Sequence, residues 1–194
     1  MGVGKNRVCP VAIAGSLDNR FRRLIQNPRK ILQPYIEEGM TVLDLGCGPG
    51  FFSVEIAQMV GKSGRVIASD LQEGMLQKLR HKIQDTELES RITLHKTGAD
   101  RIGLSDKIDF ALAFYVVHEV SDQLGFFREI RSILQPDGLV FIAEPPLAVS
   151  KKDFEETIRN AGDAGFALLD RPGVFLSKAV ILKKASRQAG EIVP

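Results

Sequence analysis

The fold is decided by the stretch VLDLGCGPG, residues 42–50. An apolar strand predicted over residues 41–45 runs into a turn at 46–50, and a helix is predicted over 51–60. Glycines allow positive φ angles and let a ligand approach the backbone closely. The start of the helix offers unpaired N–H groups and the positive end of its dipole. The stretch therefore predicts a site for a polar or anionic group lying against the backbone.

The glycine spacing separates this turn from a dinucleotide fingerprint. That fingerprint, G-x-G-x-x-G, places its third glycine three positions after the second. Phe51 stands at that position here, the third glycine comes at Gly50, and Asp44 precedes the turn. The pattern favours a nucleoside ligand other than NAD. The alternative is a tight strand–helix turn that binds nothing.

Further carboxylates are predicted at the ends of neighbouring strands. Asp70 follows the strand predicted over 65–69, and a carboxylate there can accept both hydroxyls of a ribose. Ala99 and Asp100 lie just past the strand predicted over 91–95, where Asp100 can accept from an exocyclic amine. The ends of parallel strands meet in one crevice, which brings these residues together. The alternatives are a strand-end cap at Asp70 and an ordinary loop aspartate at Asp100.

The rest of the chain alternates short apolar runs with amphipathic stretches, which predicts an α/β fold with helices on both faces of a mostly parallel sheet. The last two strands are too close in sequence for a helical crossover and should pair antiparallel. The other strands are predicted over 108–117, 139–143, 166–169 and 175–182. The other helices are predicted over 17–26, 74–85, 122–134 and 151–161. A further short helix is predicted to begin at Pro28 and to end before Pro34. Residues 136–138 are predicted as a turn and 183–194 as a frayed tail.

Composition excludes several classes of protein. The 194 residues carry a formal net charge of +2, which gives no argument for a nucleic-acid or membrane partner. The two cysteines, Cys9 and Cys47, exclude a disulfide scaffold and suit a reducing cytoplasm. No apolar run reaches the roughly 20 residues that a membrane-spanning helix needs. The apolar run at 8–14 is short and contains Pro10, so we do not interpret it as a secretion signal.

Taken together, these motifs resemble the class I S-adenosylmethionine-dependent methyltransferases, and among them the small-molecule group related to the ubiquinone/menaquinone methyltransferases. The resemblance covers roughly residues 28–183. It rests on the acid-and-glycine motif, on the strand-end acids, and on the stretches ALAFYVVHEV at 111–120 and ILQPDGLVFIAEP at 133–145. It implies a three-layer Rossmann-like sandwich of seven strands with an antiparallel terminal strand. It also implies S-adenosylmethionine as the cofactor.

The resemblance implies roles for the glycine turn. Gly46, Gly48 and Gly50 would approach the methionine part of the cofactor, together with Cys47, and Asp44 would orient that part.

It assigns the rest of the cofactor to the other strand ends. Asp70, with Leu71 beside it, would hold the ribose hydroxyls, and Ala99 and Asp100 would meet the adenine.

The end of the fourth strand is where the resemblance places the reaction. Phe114 and Tyr115 would line the sulfonium region, although a core role is equally plausible for both. His118 is the best candidate for a general base, because its ordinary pKa suits proton transfer near neutrality. The alternative is that His118 only packs beneath the acceptor. Glu119 and Glu144 are weaker candidates. No second ligand stands at metal-site spacing from His118, so no metal is predicted.

We expect a single domain over residues 1–194, with a helical cover over the acceptor site at 1–38 and a flexible tail at 184–194. Arg20, Arg22 and Arg23 would favour an anionic acceptor, or simply form a solvated helix face. The expected function is methyl transfer to a small-molecule acceptor in the cytoplasm. The alternatives are a methyltransferase for RNA or protein, and a cofactor-binding adaptor subunit. Strand four is not followed by the Pro-Pro-aromatic signature of base methylation, which disfavours nucleic acid. The sequence does not indicate an oligomeric state.

Overall fold

A computed structural model describes residues 26–185 of the chain. Its strands are β1 (Thr41–Leu45), β2 (Arg65–Asp70), β3 (Ile92–Lys96), β4 (Ile108–Phe114), β5 (Leu134–Glu144), β6 (Phe166–Asp170) and β7 (Lys178–Lys184). Its α-helices are α1 (Pro28–Leu32), α2 (Ser53–Met59), α3 (Glu73–Ile83), α4 (Gln123–Ile133) and α5 (Lys151–Asp163). A short 3₁₀ turn, Val117–Glu119, follows β4.

The strands form one sheet of seven in the order β3-β2-β1-β4-β5-β7-β6. All neighbouring pairs are parallel except those of β7, which runs antiparallel to both β5 and β6. The predicted fold class and the predicted terminal hairpin are therefore confirmed. Since β1 lies between β2 and β4, the chain reverses its direction of winding at the carboxyl end of β1. A crevice opens at such a point in a doubly wound sheet.

Two apolar layers hold the helices against the sheet, because alternate strand residues point to opposite faces. Val42 of β1 joins one core cluster together with Ile56 of α2 and Leu79 of α3. Leu43 joins the other cluster, with Phe127 of α4. The helix starts are fixed by caps that the sequence supplies. Asn27 accepts from Lys30 N ahead of Pro28, Asp122 accepts from Gly125 N, and Ser150 forms a capping box with Asp153.

Two strand boundaries lie three residues from their predicted positions. The strand predicted over 108–117 ends at Phe114, because Tyr115 adopts a left-handed φ of 65° that breaks the extended backbone. The hairpin strand predicted from 175 begins at Lys178, because Ser177 N donates to the carbonyl of Val174 and Leu176 has a φ of 51°.

Two further predictions along β5 and β7 are also corrected. Residues 136–138, predicted as a turn, lie within β5, where the pairing with β4 shifts between Ile108 and Phe110. Lys183 and Lys184, which were predicted to belong to a frayed tail, pair within the sheet.

Several predictions fall outside the described residues. These are the helix predicted over 17–26 except for its last residue, the arginines at 20, 22 and 23, Cys9, and the residues of the predicted tail beyond 185. Within residues 26–185, no helix is both long and apolar enough to cross a membrane.

The packing of α4 gives a stability prediction. Phe127 is fully buried, so Phe127→Ala should lower the free energy of unfolding by about 3–5 kcal/mol, which urea denaturation measures. Leu168 on the outer strand β6 is 44% exposed, and Leu168→Ala should cost less than about 1 kcal/mol. Equal losses in the two variants would contradict the assignment of Phe127 to the core.

Candidate active site

The glycine turn connects β1 to α2. Gly46, Gly48 and Gly50 all have positive φ angles, of 63°, 54° and 84°. An added Cβ would come 2.3 Å from Val116 at Gly46 and 2.3 Å from Leu79 at Gly50. A Cβ at Gly48 would meet none of the described protein atoms within 4 Å. The open side of Gly48 therefore faces space that a ligand can occupy.

Asp44 ties the end of β1 to the start of α2. Its buried carboxylate accepts a hydrogen bond of 2.5 Å from the hydroxyl of Ser53, the first residue of α2. Cys47, next in the turn, is also buried. Burial raises the pKa of the Cys47 thiol well above its usual range, and the negative charges of Asp44 and Asp70 raise it further. The thiol therefore stays protonated and does not act as a nucleophile.

Asp70 joins the turn to the end of β2. Its carboxylate is 7% exposed and accepts from the backbone N–H of Gly48 at 2.9 Å and of Gln72 at 2.7 Å. Burial raises the pKa of the Asp70 carboxyl, and the hydrogen bonds from Gln72 and Gly48 oppose that rise. Each carboxylate oxygen can accept more than one hydrogen bond, so both can still receive hydroxyl donors.

The loop after β3 carries Ala99 and Asp100, both exposed. It is attached at its far end, where Ile102 N donates to Glu129 of α4 at 2.7 Å and the carbonyl of Ile102 contacts His95 at 2.7 Å. The loop therefore stands beside the end of β2 as an accessible rim.

Phe114 and Tyr115 end β4 with their rings 4.5 Å apart, and Phe114 also packs 4.4 Å from Phe52. The Tyr115 hydroxyl accepts from the Gln26 amide at 2.5 Å, donates to the carbonyl of Leu176 and lies 2.7 Å from the Ser177 hydroxyl. The phenol thus links the segment before α1 to the turn before β7. A non-glycine residue with positive φ is uncommon and marks a constrained position.

His118 lies in the 3₁₀ turn after β4, and its side chain is 27% exposed. Its Nδ1 is 2.5 Å from Oε2 of Glu144, at the end of β5. The hydrogen bond to Glu144 raises the pKa of His118, burial opposes that rise, and the charges of Glu144 and Glu119 add to it.

These strand ends enclose a cavity of about 410 Å³. Small-molecule sites span ~300–1,000 Å³, so this cavity is of ligand size. Eleven of the twelve predicted site residues line it, namely Asp44, Gly46, Cys47, Gly48, Asp70, Leu71, Ala99, Asp100, Phe114, Tyr115 and His118. Gly50, the twelfth, is buried behind the turn against Leu79.

The cavity also has walls that sequence reasoning did not assign to the site. Met75, Ile102 and Phe126 line it, and Glu129 both lines it and holds the loop after β3. The helical spacing of apolar residues over 74–85 predicts that Met75 points inward, but it does not distinguish a residue of the core from one that lines a cavity. Among residues 26–185, no three His, Cys, Asp or Glu side chains are grouped as a metal ion would require.

The chain is similar to known methyltransferases both in sequence and in structure. A family model described as a methyltransferase domain matches residues 36–171. A solved structure, a SAM-dependent methyltransferase from Aquifex aeolicus, is 28% identical with a TM-score of 0.82, over 90% of this chain and 98% of that chain.

Two curated relatives are named for quinone methylation. The ubiquinone/menaquinone biosynthesis C-methyltransferase of Klebsiella pneumoniae subsp. pneumoniae is 26% identical over 145 residues, which are 74% of this chain and 56% of that protein. The demethylmenaquinone methyltransferase of Lactobacillus johnsonii is 33% identical over 110 residues, 56% of this chain and 45% of that protein. The chain thus spans about half the length of the curated relatives it matches.

The pKa of His118 gives a stability prediction. Because folding raises that pKa, the stability gained from His118 is fully present below its unfolded pKa of about 6.5 and is lost as pH rises through the folded pKa. Urea denaturation should therefore show the largest stability difference between the native protein and His118→Gln near pH 5.5, with a smaller one near pH 8.5. A difference that grows with pH would contradict the pairing with Glu144.

Proposed function

Because the chain belongs to the methyltransferase domain family, we propose that it transfers the methyl group of S-adenosylmethionine to a small-molecule acceptor. The observation that carries the proposal is the pairing of Gly48 with Asp70. Gly48 leaves its side open to the cavity, and its N–H binds the Asp70 carboxylate at the neighbouring strand end. A nucleoside that carries a charged chain needs both features. The exposed backbone at Gly48 can meet the charged chain, and the Asp70 carboxylate can accept hydrogen bonds from the ribose hydroxyls.

The residues present fit the cofactor of this family. In this proposal the backbone at Gly46, Cys47 and Gly48 meets the methionine part, and Asp44 orients that part from behind the turn. Gly50 acts indirectly, because its packing on Leu79 holds the shape of the turn.

The nucleoside then lies along the other strand ends. Asp70 accepts the ribose hydroxyls beside Leu71, and Ala99 with Asp100 meets the adenine at the exposed rim.

When bound, the cofactor supplies a methyl group already activated by its positive sulfur. The chain has to align an attacking atom with that methyl and keep water away from it. The aromatic rings of Phe52, Phe114 and Tyr115 pack together at the end of β4 and provide an apolar wall for this purpose. His118 stands beyond them at the cavity edge, where it accepts a proton from the acceptor.

A small acceptor is favoured by the relatives named for quinone methylation and by the absence of a separate substrate domain within residues 26–185. The same chemistry on RNA or protein is the second reading. We propose a cytoplasmic place of action, in keeping with the cysteine content.

The acceptor class is tested by incubating the purified protein with methyl-labelled S-adenosylmethionine and an extract of its source cells. We expect label in the acid-soluble fraction. Label only in the acid-precipitable fraction would overturn the small-molecule assignment, and its sensitivity to nuclease or protease would identify the polymer.

A matched pair of variants controls this assay. Gly48→Ala should reduce label transfer at least tenfold, since the added methyl group occupies space meant for the cofactor. Gly103 also has a positive φ and open surroundings, but it does not line the cavity. Gly103→Ala should therefore incur the same backbone cost, about 1–2 kcal/mol, and retain activity. Equal activity in the two variants would contradict the role of Gly48.

A further inference from the structure

Glu144 is a buried acid in contact with His118. It ends β5 and is 1% exposed. Its Oε2 lies 2.5 Å from the Nδ1 atom of His118, and its Oε1 accepts from the backbone N–H of His118 at 3.2 Å. Among residues 26–185, both oxygens of the Glu144 carboxylate therefore contact His118, one at the imidazole ring and the other at the backbone N–H. Such a pair of contacts fixes where the ring lies and how it is turned.

The contact also fixes the position of the imidazole proton. When the Glu144 carboxylate is ionised it can only accept a hydrogen bond, and in that state of the pair Nδ1 of the neutral ring carries the hydrogen and Nε2 carries a lone pair. His118 lines the cavity and Glu144 does not. In the described part of the chain, Nε2 makes no hydrogen bond to protein. The basic nitrogen is therefore the one left for a molecule in the cavity.

We propose that Glu144 is the positioning residue of a His118–Glu144 pair, and that the pair selects acceptors whose attacking group is a weak acid, such as a phenol or an enol. This inference rests on the proposed methyl transfer. A thioether attacks with a lone pair it already has and needs no such base. A phenol must first lose its proton, and Nε2 of His118 is oriented to take it.

The proton and electron balance of the step is complete with the groups named. The acidic hydrogen moves from the acceptor to Nε2. The electron pair left on the acceptor oxygen, or on a carbon conjugated with it, forms the bond to the methyl carbon. Where a phenol ring carbon is methylated, that carbon then loses its hydrogen as a proton to solvent and the oxygen takes a proton back. The sulfur keeps the pair of the bond that breaks. The resulting imidazolium is stabilised by Glu144 and then gives its proton to solvent.

The charged groups near the ring are consistent with this role. Glu144 approaches from β5 and Glu119 from the 3₁₀ turn, and Asp122 at the start of α4 lines the same cavity. The charges of Glu144 and Glu119 favour the proton-bearing form of His118 that follows proton transfer. A backbone contact alone would not need a carboxylate, because a neutral amide can accept the same hydrogen bond from the N–H of His118.

Nitrogen-15 NMR of histidine-labelled protein tests the inference without an activity assay. The signals of His118 are identified by their loss in His118→Asn, which leaves His81 and His95. We expect the neutral ring of the native protein to carry its hydrogen on Nδ1 and its pKa to lie above that of an ordinary histidine. A hydrogen on Nε2 would overturn the proposal. This measurement uses the native protein, so it stands even if a Glu144 variant fails to fold.

The pH profile of Glu144→Gln separates positioning from a purely structural role. The amide keeps the shape and the backbone contact, but it removes the charge. We expect label transfer to the small-molecule fraction of source-cell extract to fall roughly tenfold or more, with its acidic limb moved to lower pH. Glu155→Gln, a surface change at the ion pair with Arg171, should leave rate and profile unchanged. An unmoved acidic limb in Glu144→Gln would overturn the inference.

Binding of S-adenosylhomocysteine distinguishes this failure from failure of the proposed function. Glu144→Gln should bind it as the native protein does, because Glu144 does not line the cavity. If the native protein binds S-adenosylhomocysteine and only the pH profile contradicts us, the His118–Glu144 pair is wrong and the methyltransferase assignment stands.

Discussion

The hydrogen bond between the Asp70 carboxylate and the N–H of Gly48 is the contact on which the site depends. It spans 22 residues of sequence and joins the turn after β1 to the end of β2. The other carboxylate oxygen holds Gln72 N, where α3 begins. Loss of this bridge would release the turn and the helix start together. A buried carboxylate is costly unless it is hydrogen-bonded, and here those bonds come from the backbone that forms the cavity wall.

The sheet register explains why distant residues meet at this bridge. In the parallel pairing of β1 with β2, Leu45 lies opposite Ser69, so both strands end at the same level. β4 and β5 end together in the same way, with Phe114 opposite Ala143. One residue after Ala143 comes Glu144, which reaches His118 across the end of β4. The β1–β2 pair therefore positions the residues proposed to bind the cofactor, and the neighbouring β4–β5 pair positions the residues proposed to face the acceptor.

The sequence predicted the first half of this arrangement better than the second. β1 has the predicted bounds, because its apolar run is closed by glycines whose positive φ no strand can continue. The apolar run predicts the end of β4 three residues too late, because Val116 and Val117 continue the run although the backbone has already turned at Tyr115. His118 and Glu144 are each candidates by sequence, but their contact depends on the register between β4 and β5, for which the sequence carries no local signal. The hydrogen bonds that join the Tyr115 hydroxyl to Gln26 and Leu176 also link residues distant in sequence, and no local pattern predicts them.

The central claim is that the cavity at the ends of β1 and β2 binds S-adenosylmethionine and not a dinucleotide. Calorimetric titration of the purified chain with S-adenosylhomocysteine, and separately with NAD, tests it most directly. The account predicts one-to-one binding of S-adenosylhomocysteine and no measurable binding of NAD. Binding of NAD without binding of S-adenosylhomocysteine would contradict it, and would mean that the glycine turn serves a different nucleotide chemistry.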